Sequence, residues 1–250
     1  MGKTSLGLQM IAHAAELRAS KQPNGAPGLI ISLETPALGL LNRIACQRAR
    51  VSTKRFSSGI MTDIEMQSMM RALGEIAEWP ITVHHRSLTS QQARAIAQAE
   101  IVERGVGLIF YDHIQLSANE GVNDTERWAR VSQDLKSLAV DMDVIVIAAS
   151  QLSRQPERRD NRRPTLSDLR GSGAIEQNAD IVLGLYCEDY YAQQKARWTA
   201  LKGTAEILVL KHRDGSRGRV DVKWTPECVR FDNLEVVRAS EDADQDEIPF

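Results

Sequence analysis

No stretch of this 250-residue chain approaches the roughly 20 consecutive apolar residues that a bilayer-spanning helix needs, which excludes a membrane anchor of that kind. A secretory leader is missing as well, because Lys3 runs into an amphipathic segment instead of an apolar one. Leu6 stands where an N-myristoylation signal requires Ser or Thr. Cysteine is scarce: Cys46, Cys187 and Cys228 match neither a metal-ligand nor a disulfide spacing, and are expected to be buried small hydrophobes in a reducing cytoplasm. There is no internal repeat. What is present, 42% hydrophobic and 26% charged residues, suits one large globular domain.

One further absence is the informative one. Met1-Gly2-Lys3-Thr4-Ser5 reads as the second half of a phosphate-binding loop whose complete form is G-x-x-x-x-G-K-[ST]. In such a loop backbone N–H groups cradle phosphates, the Lys reaches the β and γ groups, and the Ser/Thr hydroxyl ligates Mg²⁺. Gly2, Lys3 and Thr4 supply the last three roles. The leading glycine and the strand that feeds the loop would lie before residue 1. Three residues recur by chance, so the rest of the chain has to support the assignment.

Beyond Ser5 the chain alternates helix and strand. Leu6, Met10, Ile11, Ala14 and Leu17 share a helical face, placing a helix directly after the loop. Pro23 to Pro27 breaks it. Strands are expected at 29–33, 81–83, 107–111 and 144–148, with helices from Pro36 to Arg48, over about 62–78, over 90–103 behind a Thr89/Gln92 capping box, and over about 124–141. Later strands are expected near 180–186, 205–211, 219–224 and 228–231. Apolar strands alternating with helices predict an α/β fold with a largely parallel sheet covered on both faces.

Polar residues close three of these strands: Glu34, Asp112 and Gln151. Ligands of open α/β sheets bind beyond the carboxyl ends of strands. An acid after a hydrophobic strand can hold Mg²⁺, a second acid can polarise the attacking water, and an amide can sense the γ-phosphate. Each residue alone could be a turn or helix-start residue, but all three downstream of Gly-Lys-Thr make coincidence a poor account. Phosphoryl transfer also wants a cation for the charge that develops at the γ-phosphate. Lys211-His212-Arg213-Asp214-Gly215, at the end of a late strand, could lend Arg213 to a neighbouring subunit, although Asp-Gly alone reads as a plain turn.

The net charge of −2 hides an asymmetry. Residues 239–250 carry five acids and no base, which leaves about +3 on the rest. Six arginines lie between Arg154 and Arg170, a candidate nucleic-acid footprint whose plain alternative is a solvated loop.

Taken together, the residues resemble the C-terminal motor domain of the DnaB-type hexameric replicative helicases, over nearly all of 1–232. The resemblance rests on Gly2-Lys3-Thr4, Ser32-Leu33-Glu34, the block Tyr111-Asp112-His113-Ile114-Gln115-Leu116, and Ser150-Gln151-Leu152-Ser153-Arg154. Its most specific part is the stretch from Arg163-Pro164-Thr165 through Ser167-Asp168-Leu169-Arg170-Gly171-Ser172-Gly173 to Ala179-Asp180. With Lys211-His212-Arg213, that stretch speaks against a RecA- or RadA-type recombination ATPase. The resemblance implies a RecA-like P-loop NTPase core with C-terminal antiparallel strands, forming a homohexameric ring with ATP and Mg²⁺ between subunits. Gly2, Lys3, Thr4 and Ser5 would hold phosphates and metal, Glu34 would be the catalytic base, Arg43 would contact nucleotide, Asp112 would help hold the metal, and Gln151 would relay the γ-phosphate. Lys211, His212 and Arg213 would reach the adjacent subunit's site. Single-stranded DNA would thread the channel with 5′→3′ polarity. A loop containing Arg170, Gly171 and Gly173 would grip it, with mobile arginines including Arg154 and Arg163 nearby. A primase and a helicase loader are the implied partners.

His113 and Ile114 stand where that family usually has Tyr and Leu, Gly171 where it usually has Glu, and Asp214 where Asn is common. With half of the phosphate loop absent, the chain reads as truncated or mis-started, and weak ATPase or a non-catalytic DNA-binding, ring-forming remnant is the alternative expectation. Residues 1–238 are assigned to the motor domain and 239–250 to a disordered acidic tail. Its tip, Asp246 to Phe250, resembles the acid-Ile-Pro-Phe end of bacterial single-stranded-DNA-binding proteins, implying a replisome partner with an apolar pocket beside basic groups.

Overall fold

Gly28–Ser32 and Leu108–Asp112 are buried at every position, as strands covered on both faces must be. In the computed structural model they form the centre of a parallel sheet. The structure describes residues 2–121, 123–153, 159, 161–169, 172–188 and 203–234. Among these, the elements in chain order are α1 (Lys3–Ala19), β1 (Gly28–Ser32), α2 (Ala37–Ala49), α3 (Thr53–Ser58), α4 (Asp63–Ala77), β2 (Ile81–His85), α5 (Ser90–Arg104), β3 (Leu108–Asp112), α6 (Asp124–Asp141), β4 (Ile145–Ala148), α7 (Ser172–Asn178), β5 (Ile181–Tyr186), β6 (Thr204–His212), β7 (Gly218–Thr225) and β8 (Arg230–Asn233).

The first sheet has order β2-β1-β3-β4, all parallel; the second, β5-β6-β7-β8, is antiparallel. Alternation along β1 and β3 divides the core. Leu29, Ile31, Ile109 and Tyr111 pack with α5 and α6, whereas Ile30, Leu108 and Phe110 pack with α1, α2 and α4. Each such side chain contributes about 1.5–3 kcal/mol on burial, so this two-sided core dominates the fold. From β1 the chain goes first to one neighbour, β2, and later to the other, β3. That reversal opens a crevice beyond the carboxyl ends of β1 and β3.

The capping box of α5 is present, with Thr89 accepting from the Gln92 N–H, and α4 carries the same device through Thr62 and Glu65. The start of α1 differs from the expected arrangement. Lys3, Thr4 and Ser5 are themselves its first turn, entered through Gly2 at φ +70° with no side-chain cap. Its buried face is also not the expected one: Gly7, Leu8, Ile11, Ala12 and Ala15 are buried while Met10 is exposed. The cause is packing on two sides. A Cβ at Gly7 would fall 2.2 Å from the Phe110 ring, so glycine sets how closely α1 lies on β3. On another side, the Gln9 carboxamide bonds Phe231 twice, donating to its carbonyl at 2.6 Å and accepting from its N–H at 3.0 Å. Gln47 adds bonds to the carbonyls of Ser5 and Val229, so polar side chains fasten α1 and α2 to β8. Two short helices escaped the periodicity reading: α3, which buries no residue, and α7, whose seven residues lie in a stretch read as loop.

Candidate functional site

The crevice at the β1/β3 reversal collects the residues singled out above. Ser32 and Asp112 are register partners at the ends of β1 and β3, and Glu34 follows two residues beyond Ser32. β4 pairs with β3 through Tyr111 and Ala148, which puts Gln151 beyond the same sheet edge. The first turn of α1 completes the group, with Thr4 Oγ1 donating to Asp112 Oδ2 at 2.8 Å. His113 Nδ1 lies 3.5 Å from Glu34 Oε2 and 4.0 Å from Asp112 Oδ1. Gln151 is exposed, and its backbone N–H donates to Gln115 Oε1 at 2.9 Å while Gln115 donates to Ser150 Oγ. Gln115 thus links β3 to the turn that presents Gln151.

Charge is concentrated there. Burial pushes the Lys3 ammonium pKa down, and the nearby Asp112 and Glu34 carboxylates only partly offset this. Burial pushes the Asp112 carboxyl up, opposed by the Thr4 hydroxyl, His113 and Lys3, while Glu34 adds to the rise. His113 is held below its ordinary value, again chiefly by burial. Both Lys3 and Asp112 therefore sit in a place that penalises their charges while the crevice holds protein alone. An uncapped helix start with no acid in its first turn favours an anion, and a hydroxyl beside a carboxylate is an oxygen pair suited to Mg²⁺. The residues present thus fit a metal-bound phosphate.

The Asp112 shift has a testable sign. An acid whose folded pKa is raised supports stability fully below its unfolded pKa, and that support is lost as pH rises through the folded value. At neutral pH the ionised carboxylate therefore destabilises the ligand-free fold. Asp112→Asn keeps an acceptor for Thr4 without the charge, and is expected to melt higher than the parent at neutral pH. The scale is about 2–4 °C per kcal/mol for a chain of this size. The gain should shrink on acidification, and the variant should lose the stabilisation that Mg²⁺ with ATP gives the parent. Thermal unfolding at two pH values, with and without nucleotide, measures both; a lower melting point for the neutral-pH, ligand-free variant would contradict the assignment.

Other expected site residues lie elsewhere. Arg43 is half-buried on α2 and makes no hydrogen bond or ion pair among the described residues. Lys211 is committed within its own subunit, donating to the carbonyls of Glu176 at 2.6 Å and Ala179 at 2.7 Å, where it caps the C-terminus of α7. His212 is exposed. Arg213 projects from the end of β6 with its side chain 60% exposed, 3.1 Å from Asp180 Oδ1.

The expected mobile arginines need correction. Arg163 donates to both oxygens of Glu206, at 2.7 and 2.5 Å, and lies 4.8 Å above the Tyr186 ring. Glu206 is buried, and a buried carboxylate left alone would cost several kcal/mol, which is why it captures the guanidinium. Arg159 is likewise bound to the fully buried Asp168. Gly173 belongs to helix α7, not to a loop, and a Cβ there would meet nothing within 4 Å, so the fold itself does not require glycine. Arg154, Arg170, Gly171 and the acidic tail with Asp246 to Phe250 lie outside the described residues.

Sequence reasoning assigned no role to His113 beside Glu34, Gln115 beneath Gln151, or Asp180 beside Arg213. All three stood inside the blocks that carried the resemblance, but the nearest of these pairings spans 33 residues, and no local pattern reports a pairing at that range. All three cysteines are free and buried, as expected. No helix among the described residues is long and apolar enough to cross a membrane, and these residues contain no cluster of three or more His, Cys, Asp or Glu suited to a metal.

Comparison with known proteins agrees with this geometry. A family model described as the DnaB-like helicase C terminal domain matches residues 1–233. The replicative DNA helicase DnaC of Bacillus subtilis (strain 168) is 34% identical over 239 residues, covering 94% of this chain and 50% of that protein. The replicative DNA helicase DnaB of Haemophilus influenzae is 35% identical over 240 residues, covering 94% and 49%. The chain thus spans about half the length of the curated relatives it matches. Among solved structures, a DnaB-like replicative helicase described with its interactions with primase superposes with a TM-score of 0.83 at 30% identity, covering 94% of this chain and 55% of that one. A second solved structure, of an isolated ATPase domain, gives 0.82 at 30% identity, covering 94% and 81%.

Proposed function

Because the chain belongs to the DnaB-like helicase C-terminal domain family and has the RecA-like fold of its structural neighbours, we propose that it is the ATP-driven motor of a replicative DNA helicase, moving 5′→3′ along single-stranded DNA in the cytoplasm as a homohexameric ring. The observation that carries this reading is the convergence of Lys3, the Thr4–Asp112 hydrogen bond, Glu34 and Gln151 at the reversal of the parallel sheet.

The site's own residues divide the work. The N–H groups of the first turn of α1 and the Lys3 ammonium bind the β- and γ-phosphates of ATP. Thr4 and Asp112 would hold Mg²⁺, which supplies charge neutralisation to the phosphates when bound. Glu34, exposed at the mouth of the crevice, accepts the proton of the attacking water, the general-base role. Gln151 stands on the turn fastened by Gln115, so a movement of its carboxamide toward the γ-phosphate is passed to the segment after it. Arg213 completes the site of an adjacent subunit. Arg170 and Gly171 contact DNA phosphates, which carry no base code and so suit a motor that must pass every sequence. A primase and a loader engage the assembled ring, the acidic tip docks a replisome protein, and residues 1–238 and 239–250 act as motor and tail.

The test is strand displacement from a forked duplex. ATP-dependent unwinding that starts from the 5′-tailed strand, with ATP turnover raised by single-stranded DNA, is the expected result. DNA binding that falls with salt but is never accompanied by turnover would replace the motor by a ring-forming DNA-binding module.

A further inference from the structure

Glu34 has a problem that its strand does not solve. Its side chain is 63% exposed, two residues past the end of β1, and His113 is its one ion-pair or hydrogen-bond partner among the described residues. A solvated Glu samples many rotamers, and ordering one costs up to about 2 kcal/mol. A base that wanders is a poor base, because geometry at the attacking atom decides proton transfer before acidity does.

His113 offers the opposite: a fixed donor. Its side chain is only 12% exposed. Its backbone is fastened on both sides, by the Leu33 N–H donating to the Asp112 carbonyl at 2.8 Å and the Ile114 N–H donating to the Ala149 carbonyl at 3.1 Å. The residue is therefore tied to the continuation of β1 and to that of β4. Asp112, the other carboxylate within reach, is the more distant of the two at 4.0 Å and already accepts from Thr4. Glu34 at 3.5 Å is the better acceptor.

We propose that His113 is a positioning residue, whose ring N–H at Nδ1 is directed at the Glu34 carboxylate and fixes the direction in which Glu34 meets the attacking water. A separation of 3.5 Å is long for a completed hydrogen bond; such contacts commonly tighten once substrate is bound. The inference rests on Glu34 being the general base. His113 touches no substrate and acts only through that carboxylate.

Two substitutions and one spectrum decide it. His113→Phe keeps a buried planar ring and deletes the donor. His113→Asn places an amide N–H close to the position of Nδ1. The Phe variant is expected to lose kcat for ATP on the scale of about 10²-fold that a misplacement of about 1 Å produces, with KM for ATP little changed, and the Asn variant to recover most of it. In the ligand-free protein, two-bond ¹H–¹⁵N spectra are expected to show Nδ1 protonated, with a shift that changes in Glu34→Ala. Parental kcat in His113→Phe, an Asn variant as impaired as Phe, or a ring spectrum indifferent to Glu34→Ala would each overturn the proposal. If His113→Phe fails to fold, the Asn variant and the spectrum still decide. Full turnover in Glu34→Gln would instead strike at the reading of Glu34 itself, and the nitrogen spectrum separates that failure from the absence of the contact.

Discussion

Arg213→Ala is expected to lose about 10³–10⁵ of ATP turnover, the range measured for arginines that stabilise a transferring γ-phosphate, while keeping its fold. In its own subunit Arg213 is held by Asp180 through an exposed contact, and Asp180 is shared with Lys136 Nζ at 2.6 Å. Exposed pairs of this kind are worth about 0–1 kcal/mol, so the fold does not depend on Arg213 and the side chain is released at small cost. At about 1.36 kcal/mol per decade, the expected loss in rate corresponds to about 4–7 kcal/mol. An arginine that contributes so little to its own domain and so much to turnover must act elsewhere, in the site of the next subunit. Mixing Arg213→Ala protein with Glu34→Gln protein tests this directly. Each is inactive alone, yet mixed rings contain interfaces where an intact Glu34 meets an intact Arg213, and turnover should reappear. Normal turnover by Arg213→Ala, or no recovery on mixing, would refute the shared site.

Lys3→Ala is expected to lower turnover by about 10²–10³, the scale for deleting one preorganised electrostatic contact to a developing charge, and to weaken binding of ATP. Lys3→Arg should not rescue it, since a planar fork cannot occupy the place of a compact ammonium at a helix start. The loss should not come from unfolding. Burial holds the Lys3 pKa down against the pull of Asp112 and Glu34, so the ligand-free fold gains nothing electrostatic from this charge. The variant should therefore melt no lower than the parent without nucleotide and should gain less on adding it. Turnover equal to the parent, or a collapse in ligand-free stability, would show that Lys3 serves the fold and not the phosphates.

The relation between sequence and structure differs by element. β1 and β3 were legible because five consecutive buried positions demand an unbroken apolar run, and Leu29 to Ile31 and Leu108 to Tyr111 provide it. The α5 box was legible because Thr89 and Gln92 meet within one turn. The buried face of α1 was not, because glycine at position 7 carries no hydrophobic signal, yet its missing Cβ is what lets the helix approach Phe110. α7 was missed because its C-terminus is stabilised by Lys211, 32 residues from Ala179.

By itself, then, the sequence determined the alternation of helix and strand, the family, and the chemical identities at the strand ends, since these depend on periodicity and on short motifs. The tertiary structure alone decided which charges act on one another. It set Thr4 against Asp112 across 108 residues, turned His113 toward Glu34, withdrew Arg163 into an ion pair with Glu206, and left Arg213 outward on a weak tether. Pairings of that kind follow from strand order and from the penalty of burying a lone charge, and neither is written in any local stretch of residues.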